Sequence, residues 1–296
     1  MKKIYNLILF IFFFGIILSS CDAVSPDKGP LQESAEPFSF AFMTDLHLNF
    51  GENGSYEGFE QAIAKAEELG VDFIISGGDN VDADAIGDDA GTAHKMYEEF
   101  KNIVDESDTD IKITIGNHDR FWHEEGSEEV HGAGMFMEYF GDTYFDYEFG
   151  GVHFIHLNTS EVCEGEYCVS PDQKDWLSGL LSTIENDKPI VLTVHVPFLS
   201  FYYPALRGYY TDTDIFRNFK EIWDMFDNHN LGLVLQGHMH LYEELNVLDT
   251  QFLTGGAVSA NWWGGPYHGT NEGFVYVEWD GTDFSWEYID YGWVAR

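Results

Sequence analysis

Five short apolar segments of the chain each end in polar side chains, and this repeated pattern restricts the possible fold more than any other feature. The polar clusters are Asp45-Leu46-His47, Gly78-Asp79-Asn80, Gly116-Asn117-His118-Asp119, His195 and Gly237-His238-Met239-His240. The segments before them are short and apolar, as in buried strands. Because the ends of neighbouring parallel strands meet at one edge of a sheet, the pattern predicts a shared polar site.

Segments with helical spacing lie between the strand-like segments of the first half of the chain. The predicted strands cover residues 38–44, 71–76 and 111–115, and the predicted helices between them cover residues 56–69 and 96–104. This alternation of strand and helix is typical of an α/β fold built from layers.

The second half of the chain adds further strands and two helices. Gly150-Gly151 predicts a hairpin turn, and Ser170-Pro171 followed by Gln173 predicts a helix start with Ser170 as N-cap. The other predicted strands cover residues 144–149, 152–157, 190–194, 231–235, 247–253, 274–279 and 284–289, and a last helix covers residues 216–226. We therefore expect one domain over residues 38–296.

The first 37 residues have the features of an export signal and a tether. Lys2 and Lys3 precede an apolar run over residues 7–18, and Leu18-Ser19-Ser20-Cys21 resembles the bacterial lipobox, in which the cysteine is lipidated. An uncleaved membrane anchor is the alternative, but the run is shorter than the roughly 20 residues that a spanning helix needs. We expect an exported cell-envelope lipoprotein, on the periplasmic or cell-surface side of a bacterial membrane, with a signal peptide over residues 1–20, a flexible tether over residues 21–37 and a lipid anchor on Cys21.

Acidic side chains strongly outnumber basic ones. The chain has 52 Asp and Glu against 14 Lys and Arg, which gives a formal net charge of −38. Such a surface repels nucleic-acid duplexes and anionic lipids, except where a metal ion reverses the local sign. Hydrophobic residues at 44% exclude a disordered polyelectrolyte. We therefore expect a folded protein whose partner is a small molecule, with an oligomeric state that the sequence leaves open.

Two cysteines remain besides Cys21. Cys163 and Cys168 are separated by four residues that include a glycine. In an exported chain this spacing favours a local disulfide over a metal site or a nucleophile.

The residue types in the five clusters suit metal binding. Asp45 and His47 are two residues apart, as are His238 and His240, so each pair can point to the same side of an extended backbone and hold one ion. Asp79 follows two glycines, and its two carboxylate oxygens can bridge two ions. Each pair alone is weak evidence for a metal site, because an Asp-x-His pair is common on protein surfaces. Together they supply ligands for two adjacent ions.

The cluster Gly116-Asn117-His118-Asp119 is the most specific of the five. A simple turn needs neither three consecutive polar side chains nor a histidine. Asn117 can offer its amide oxygen to a metal, and His118 can donate a proton. Asp119 can hold the His118 ring in the donating tautomer, so His118 and Asp119 are the candidate catalytic residues.

The ordered series D-x-H, G-D-x, G-N-H-D, H and G-H-x-H resembles the motifs of the calcineurin-like metallophosphoesterase superfamily and spans Asp45 to His240. The resemblance implies a four-layer α/β/β/α sandwich of two mixed β-sheets flanked by helices, with a dinuclear site on loops at one edge. It implies two divalent or trivalent ions, drawn from Fe, Mn and Zn. It assigns one ion to Asp45, His47 and His240, the other to Asn117, His195 and His238, and the bridging position to Asp79.

The resemblance also implies hydrolysis of phosphoester bonds in small extracytoplasmic substrates. Two bound ions lower the pKa of a shared water, the resulting hydroxide attacks phosphorus, and His118 protonates the leaving group. We favour a phosphodiesterase; the alternatives are a phosphomonoesterase of the same fold or a non-catalytic metal-binding scaffold.

Two family branches fit the chain less well. Purple acid phosphatases place a metal-ligating tyrosine three residues after the bridging aspartate, where this chain has Asp82. Cyclic-nucleotide phosphodiesterases often have two histidines and a proline at the fourth motif, where this chain has His195-Val196-Pro197. The first difference argues against an iron–tyrosinate site, and the second weakens the cyclic-nucleotide interpretation without removing it.

Two aromatic segments follow the last clusters, over residues 198–210 and 261–265. One interpretation is that their rings stack on a base, sugar or aryl group while a cation meets a phosphate oxygen. The alternative is that the rings cover the core and the cation pairs with a neighbouring acid. The candidate substrate-binding residues are Arg207, Tyr209, Trp262 and Trp263.

Overall fold

The computed structural model describes residues 36–211 and 213–296. The predicted signal peptide, Cys21 and the tether up to residue 35 lie outside the described residues. Within the described ranges, no helix combines the length and the apolar character that crossing a membrane requires.

Thirteen strands and six α-helices make up the described chain. The strands are β1 (Phe38–Met43), β2 (Phe73–Ser76), β3 (Asp110–Ile113), β4 (Phe145–Phe149), β5 (Val152–His156), β6 (Glu161–Cys163), β7 (Glu166–Cys168), β8 (Pro189–Val194), β9 (Asn230–Gln236), β10 (Tyr242–Val247), β11 (Thr250–Gly255), β12 (Gly273–Trp279) and β13 (Phe284–Asp290). The helices are α1 (Ser55–Leu69), α2 (Ala90–Glu106), α3 (Gly134–Phe140), α4 (Pro171–Leu181), α5 (Tyr202–Arg207) and α6 (Phe219–Asp224).

Two large mixed sheets contain eleven of these strands. The first sheet has the order β13-β12-β1-β2-β3, and the second has the order β10-β11-β9-β8-β5-β4. In the first sheet β1, β2 and β3 run parallel, and in the second β5, β8 and β9 run parallel. The carboxyl ends of the parallel strands in each sheet therefore share one edge, where loops can combine their side chains.

The two sheets pack face to face, and each carries helices on its outer side. Phe40 and Phe42 of β1 point into the layer between the sheets, whereas Ala41 and Met43 point to the side of α1 and α2. Since successive strand residues point to opposite faces, a strand buried on both faces is apolar throughout, as β1 is. Helices α4 and α6 cover the second sheet. The predicted four-layer sandwich of two mixed sheets is confirmed.

Some predicted boundaries were wrong. The strand predicted over residues 247–253 is in fact a hairpin: Val247 pairs with Thr250, and Leu248 and Asp249 form the two-residue turn with φ of 52° and 64°. Such turns favour Asn-Gly or Asp-Gly, so this sequence gave no turn signal. The helix predicted over residues 216–226 is shorter, Phe219–Asp224.

Other local predictions agree with the structure. Ser170 caps α4, and its hydroxyl accepts from the Gln173 backbone N–H at 3.4 Å. Strands β4 and β5 form the antiparallel hairpin around Gly150-Gly151. Cys163 and Cys168 are joined by a disulfide that closes the small β6–β7 hairpin.

Candidate metal centre

The candidate ligands lie on loops at the carboxyl ends of five parallel strands. Asp45 and His47 follow β1, Asp79 follows β2 and Asn117 follows β3. The remaining three follow strands of the second sheet: His195 follows β8, and His238 and His240 follow β9. Both sheets thus contribute to one site at the edge of the sandwich.

Five of these seven residues have a left-handed backbone conformation. The φ angles are 55° at Asp45, 48° at His47, 53° at Asp79, 71° at His238 and 57° at His240. A non-glycine residue in this region costs on the order of 1 kcal/mol or more, so it persists only where neighbouring contacts enforce it. Backbone hydrogen bonds supply that enforcement, including Asp45 N–H to Gly78 O at 3.0 Å and His47 N–H to Asp79 O at 2.9 Å. Such clustered strain is typical of functional sites.

The polar side chains of the site form three overlapping sets, and Asp79 belongs to two of them. Three sets of potential ligands have their donor atoms within 4.8 Å of one another, namely Asp45 with His47 and His240, Asp79 with His195 and His238, and His47 with Asp79 and His118. Oδ2 of Asp79 lies 3.0 Å from His195 Nε2 and 3.7 Å from His47 Nε2. Asp79 is therefore placed to contact ions in both of its sets.

The histidine rings are oriented by hydrogen bonds on the nitrogen remote from the site. His195 Nδ1 donates to the carbonyl of Gly77 at 2.9 Å, and His240 Nδ1 donates to the carbonyl of Ala260 at 2.6 Å. His238 uses Nε2 to donate to the carbonyl of Thr213 at 2.7 Å, so Nδ1 is the nitrogen that can bind an ion. Partners of this kind fix the tautomer of a metal-binding histidine.

The pair His47 and His240 tests whether the site suits a cation. His47 Nδ1 lies 2.6 Å from a carboxylate oxygen of Asp82, so it carries a proton, as does His240 Nδ1. The two Nε2 atoms are 2.9 Å apart. In neutral rings both atoms present lone pairs, which repel at that distance unless a positive charge lies between them. Together with Asp45 Oδ1 at 3.4 Å from His240 Nε2, this geometry fits a metal ion.

Asp45 and Asn117 complete the donor set. The Asp45 carboxylate accepts from Thr44 Oγ1 at 2.8 Å and from the His238 backbone N–H at 3.0 Å. Asn117 Oδ1 lies 3.2 Å from His195 Nε2. The set therefore combines imidazole, carboxylate and amide oxygen, which suits Fe, Mn and Zn alike.

Charges in the site reinforce one another. Burial alone would raise the pKa of Asp79, but His195, His118 and His47 hold the pKa of this carboxyl well below its usual range. Burial would lower the pKa of His118, but Asp79 and the hydrogen-bonded Asp84 raise it to about 10. The carboxylates around His118 therefore favour its protonated form.

The expectation that Asp119 orients His118 is wrong. The Asp119 carboxylate is buried and accepts from three backbone N–H groups, those of Gly116 at 2.7 Å, Asn80 at 2.8 Å and Val81 at 3.0 Å. Its lone pairs are thus used to hold the loops after β2 and β3 together. Asp119 is a structural residue of the site.

Asp84 takes the position expected for Asp119. His118 Nδ1 lies 2.8 Å from Oδ1 of Asp84, which belongs to the short 3₁₀ turn Ala83–Ile86. Sequence reasoning missed both Asp84 and Asp82, which contacts His47. Asp82 stood out only as the residue at the position of the purple acid phosphatase tyrosine, and its contact with His47 was not expected. Asp84 is an acidic residue shortly after Asp79, but ordinary surface turns are equally acidic and no spacing rule marks it.

The four candidate substrate-binding residues have different surroundings. Trp262 lies at the site: its ring stacks on His240 with centroids 4.1 Å apart and is 44% exposed. Trp263 is only 1% exposed, and its Nε1 donates to the carbonyl of Leu46 at 2.9 Å. A buried ring of this kind cannot contact substrate, so the substrate-binding assignment of Trp263 is wrong.

Arg207 is paired with an acid, as the alternative interpretation held. Its guanidinium lies 3.4 Å from Oδ1 of Asp214 and 4.0 Å from the centre of the Tyr203 ring. These contacts favour the alternative interpretation, in which Arg207 pairs with a neighbouring acid. Tyr209 is 61% exposed beyond the end of α5, and within residues 36–211 and 213–296 no hydrogen bond or ring contact joins it to the ligand residues.

Comparison with known proteins gives one family and one fold. The sequence profile of the calcineurin-like phosphoesterases matches residues 38–242. Purple acid phosphatase 13 of Arabidopsis thaliana is 30% identical over 109 residues, which is 36% of this chain and 18% of that protein. The chain therefore matches less than a fifth of the length of this curated relative.

Two solved structures share the fold at low sequence identity. A dimetal phosphatase from Danio rerio has a TM-score of 0.58 at 12% identity, and the match covers 84% of this chain and 98% of that one. The purple acid phosphatase PPD1 from yellow lupin seeds, Lupinus luteus, has a TM-score of 0.61 at 13% identity, with coverage of 87% and 52%.

Proposed function

The chain belongs to the calcineurin-like phosphoesterase family, and on that basis we propose that it is a dinuclear metal-dependent hydrolase of phosphodiesters. The observation that carries this proposal is the sharing of one buried carboxylate, Asp79, between two groups of potential ligands. A carboxylate in that position can hold two ions close enough to act on one phosphoryl group.

The side chains assigned to the ions fall into two sets. We propose that Asp45, His47 and His240 hold one ion, that Asn117, His195 and His238 hold the other, and that Asp79 bridges them. When bound, two such ions supply a Lewis acid and an activated water. The protein itself contributes the fixed orientation of each donor, since every histidine is held through its second nitrogen.

His118 is the proposed general acid. Its Nδ1 is held by Asp84, which leaves Nε2 to donate a proton to the oxygen of the departing alcohol. The backbone N–H of His118 donates to Oδ1 of Asp79 at 2.8 Å, so the same residue ties the acid to the bridging carboxylate. Asp84 is a positioning residue in this scheme.

The charges of the site favour a diester over a monoester. Asp82 and Asp84 lie beside the ligand groups, and the chain carries a net charge of −38. The arginines on the site's own loops are occupied, since Arg207 pairs with Asp214 and Arg120 is buried against Asn158 and Ser160. A monoester dianion brings one more negative charge than a diester, and these side chains would not offset it.

We also propose that the protein acts outside the cytoplasm and is attached to a membrane through a lipid on Cys21. The Cys163–Cys168 disulfide supports an oxidising compartment, and the lipobox-like residues before Cys21 support lipidation. The test is membrane fractionation of the Cys21→Ala variant, which should release the protein into the soluble fraction. Retention of that variant in the membrane would contradict the anchor.

The function is tested with metal-reconstituted protein and paired substrates. We expect bis(p-nitrophenyl) phosphate to be hydrolysed with a kcat/KM about tenfold or more above that of p-nitrophenyl phosphate. Asp79→Asn should lose metal and activity together, whereas Asp88→Asn, an exposed aspartate on the turn before α2, should retain both. Preference for the monoester would favour a phosphatase. Bound metal with no hydrolysis of either ester would favour a scaffold.

A further inference from the structure

We propose that Trp262, together with Tyr267 and Tyr203, forms a stacking subsite for an uncharged planar ring of the substrate, a nucleobase or an aryl group. The inference rests on the proposed phosphodiesterase function and narrows it to a substrate class. Tyr203 and Trp262 belong to the two aromatic segments, and Tyr267 follows the second segment by two residues. All three rings lie beside the candidate metal centre.

Trp262 is the base of the subsite. One face of its indole stacks on His240 at 4.1 Å with 29° between the planes, and its centroid lies 5.6 Å from that of His47. Yet 44% of the side chain is exposed. A large aromatic surface that touches two candidate ligands and still faces solvent is placed to meet a group attached to the reacting phosphate.

The backbone holds Trp262 in this position at an energetic cost. Ala260, Trp262 and Trp263 have φ angles of 41°, 48° and 68°, a region in which glycine is favoured. The loop is fixed because the buried Trp263 packs against Gly58, where an added Cβ would lie 2.1 Å from its ring. The Ala260 carbonyl also accepts from His240 Nδ1. The neighbouring tryptophan is thus the anchor, and Trp262 is the residue displayed.

Tyr267 and Tyr203 form a second side of the subsite. The Tyr267 ring lies 5.8 Å from that of Trp262 at 85°, so the two rings meet as a corner. The hydroxyl groups of Tyr203 and Tyr267 are 2.7 Å apart, so they join the first aromatic segment to the residues that follow the second. Both tyrosines are half-buried, which restricts their motion without covering them.

The charges near the corner select an uncharged group. Arg207 stacks on Tyr203, but the charge of Arg207 is paired with Asp214. A second acid, Glu243, accepts a hydrogen bond from the Phe201 backbone N–H at 3.0 Å. A second phosphate on the substrate would meet these acids without a spare cation. An uncharged ring would gain stacking and lose little solvation.

The first test compares two diesters in wild type and variants. The substrates are thymidine 5′-(p-nitrophenyl phosphate), which carries rings, and glycerophosphoglycerol, which carries none. We expect Trp262→Ala to lower kcat/KM for the ring-bearing ester roughly 5- to 30-fold more than for the ringless one. Trp262→Phe should restore most of the difference. The control Trp122→Ala removes another exposed tryptophan and should affect both esters equally.

A second test measures binding without turnover. Metal-reconstituted protein is titrated with thymidine and, separately, with phenol, neither of which contains a phosphoester, and the tryptophan fluorescence is followed. We expect Trp262→Ala to weaken the binding of at least one ring compound roughly 5- to 30-fold, as in the first test. The compound that binds wild type more tightly, thymidine or phenol, identifies the class of ring. Equal effects on both esters with unchanged ring binding would overturn the subsite. If wild-type protein hydrolyses neither diester but binds a ring compound in a way that depends on Trp262, the phosphodiesterase proposal would be overturned and the subsite would be retained.

The variant Trp262→Gly distinguishes a role of the exposed indole in ring binding from a role in packing. Glycine relieves the left-handed strain at this position, so we expect the melting temperature to stay level or rise while ring binding falls. A fall in melting temperature as large as that of a core substitution would mean that Trp262 serves packing, and it would overturn the proposal. A selective loss of glycerophosphocholine hydrolysis in Trp262→Ala would also overturn it, because the rings would then serve a cation.

Discussion

At the scale of single residues, the His118 ring depends on a carboxylate that lies 34 positions earlier in the chain. Asp84 holds Nδ1 at 2.8 Å, while the adjacent Asp119 is bound to backbone N–H groups. Neighbouring residues in a sequence therefore have unrelated tasks here. His118 and Asp119 could be singled out from their motif, but the contact with Asp84 exists only because the loops after β2 and β3 lie side by side.

Asp84→Asn tests this pairing directly. The substitution keeps the size of the side chain but removes the charge that favours a protonated His118. We expect kcat for an alkyl diester, whose leaving group needs a proton, to fall about 10²-fold. Hydrolysis of bis(p-nitrophenyl) phosphate should fall much less, because nitrophenolate leaves without help. The measurement is steady-state kinetics on both esters, with metal content determined by mass spectrometry.

The variants Asp119→Asn and Asp88→Asn complete the comparison. Asp119→Asn replaces a carboxylate that accepts three backbone hydrogen bonds, so it should lower thermal stability and affect both esters together. Asp88→Asn should change neither property. An equal loss on both esters in Asp84→Asn would show that Asp84 supports the loop and does not position the acid.

At the scale of secondary-structure elements, strand ends were easier to predict than the loops beyond them. Short apolar runs and glycine breaks located the strands that Asp45, Asp79 and His195 follow, because a strand that is buried on both faces is apolar throughout. The sequence could not show that Trp262 is exposed at the site and that Trp263 is buried. They differ because left-handed φ angles at both residues turn adjacent side chains to opposite environments.

Helix α1 gives a prediction at this scale, because one of its glycines contacts the site loop. A Cβ at Gly58 would lie 2.1 Å from Cζ3 of the buried Trp263, whereas a Cβ at Gly179 in α4 meets no atom within 4 Å. Gly58→Ala should lower the free energy of unfolding by about 2 kcal/mol despite the better helix propensity of alanine. Gly179→Ala should raise it by about 0.5–1 kcal/mol. Chemical denaturation of both variants provides the measurement.

The Gly58 variant should also weaken the metal centre. Trp263 Nε1 donates to the carbonyl of Leu46, between Asp45 and His47, so a displaced ring would shift two candidate ligands. We expect weaker metal retention in Gly58→Ala and wild-type retention in Gly179→Ala. A stabilised Gly58→Ala protein would show that the interface between α1 and the site loop is loosely packed.

At the scale of the whole molecule, the site exists because two sheets close on each other. The spacing of motifs predicted ligands from both halves of the chain, and the family resemblance supplied the sandwich. The sequence could not show which buried groups join the sheets below the site. One of them is His156 of β5, whose Nδ1 lies 2.8 Å from Thr114 Oγ1 just after β3.

His156 should make the stability of the sandwich depend on pH. Burial, with a smaller effect from Lys112, lowers its pKa to about 3, and its ring is stacked on Phe145 at 4.3 Å. An unfolded histidine has a pKa near 6.5. Between pH 6.5 and 3, His156 is therefore mostly protonated in the unfolded state and mostly neutral in the folded state. The stabilising contribution is therefore complete above pH 6.5 and is lost as the pH falls.

The comparison of wild type with His156→Phe isolates this term, because all other titrating groups are shared. The phenyl ring retains the stack on Phe145 and cannot be protonated, so its packing effect is independent of pH. Between pH 7 and pH 5 the wild type should lose about 2 kcal/mol more unfolding free energy than the variant. Urea denaturation at several pH values measures both curves. Parallel curves would show that His156 is protonated as readily inside the folded sandwich as in the unfolded chain, and that water or a local opening of the two sheets admits the charge.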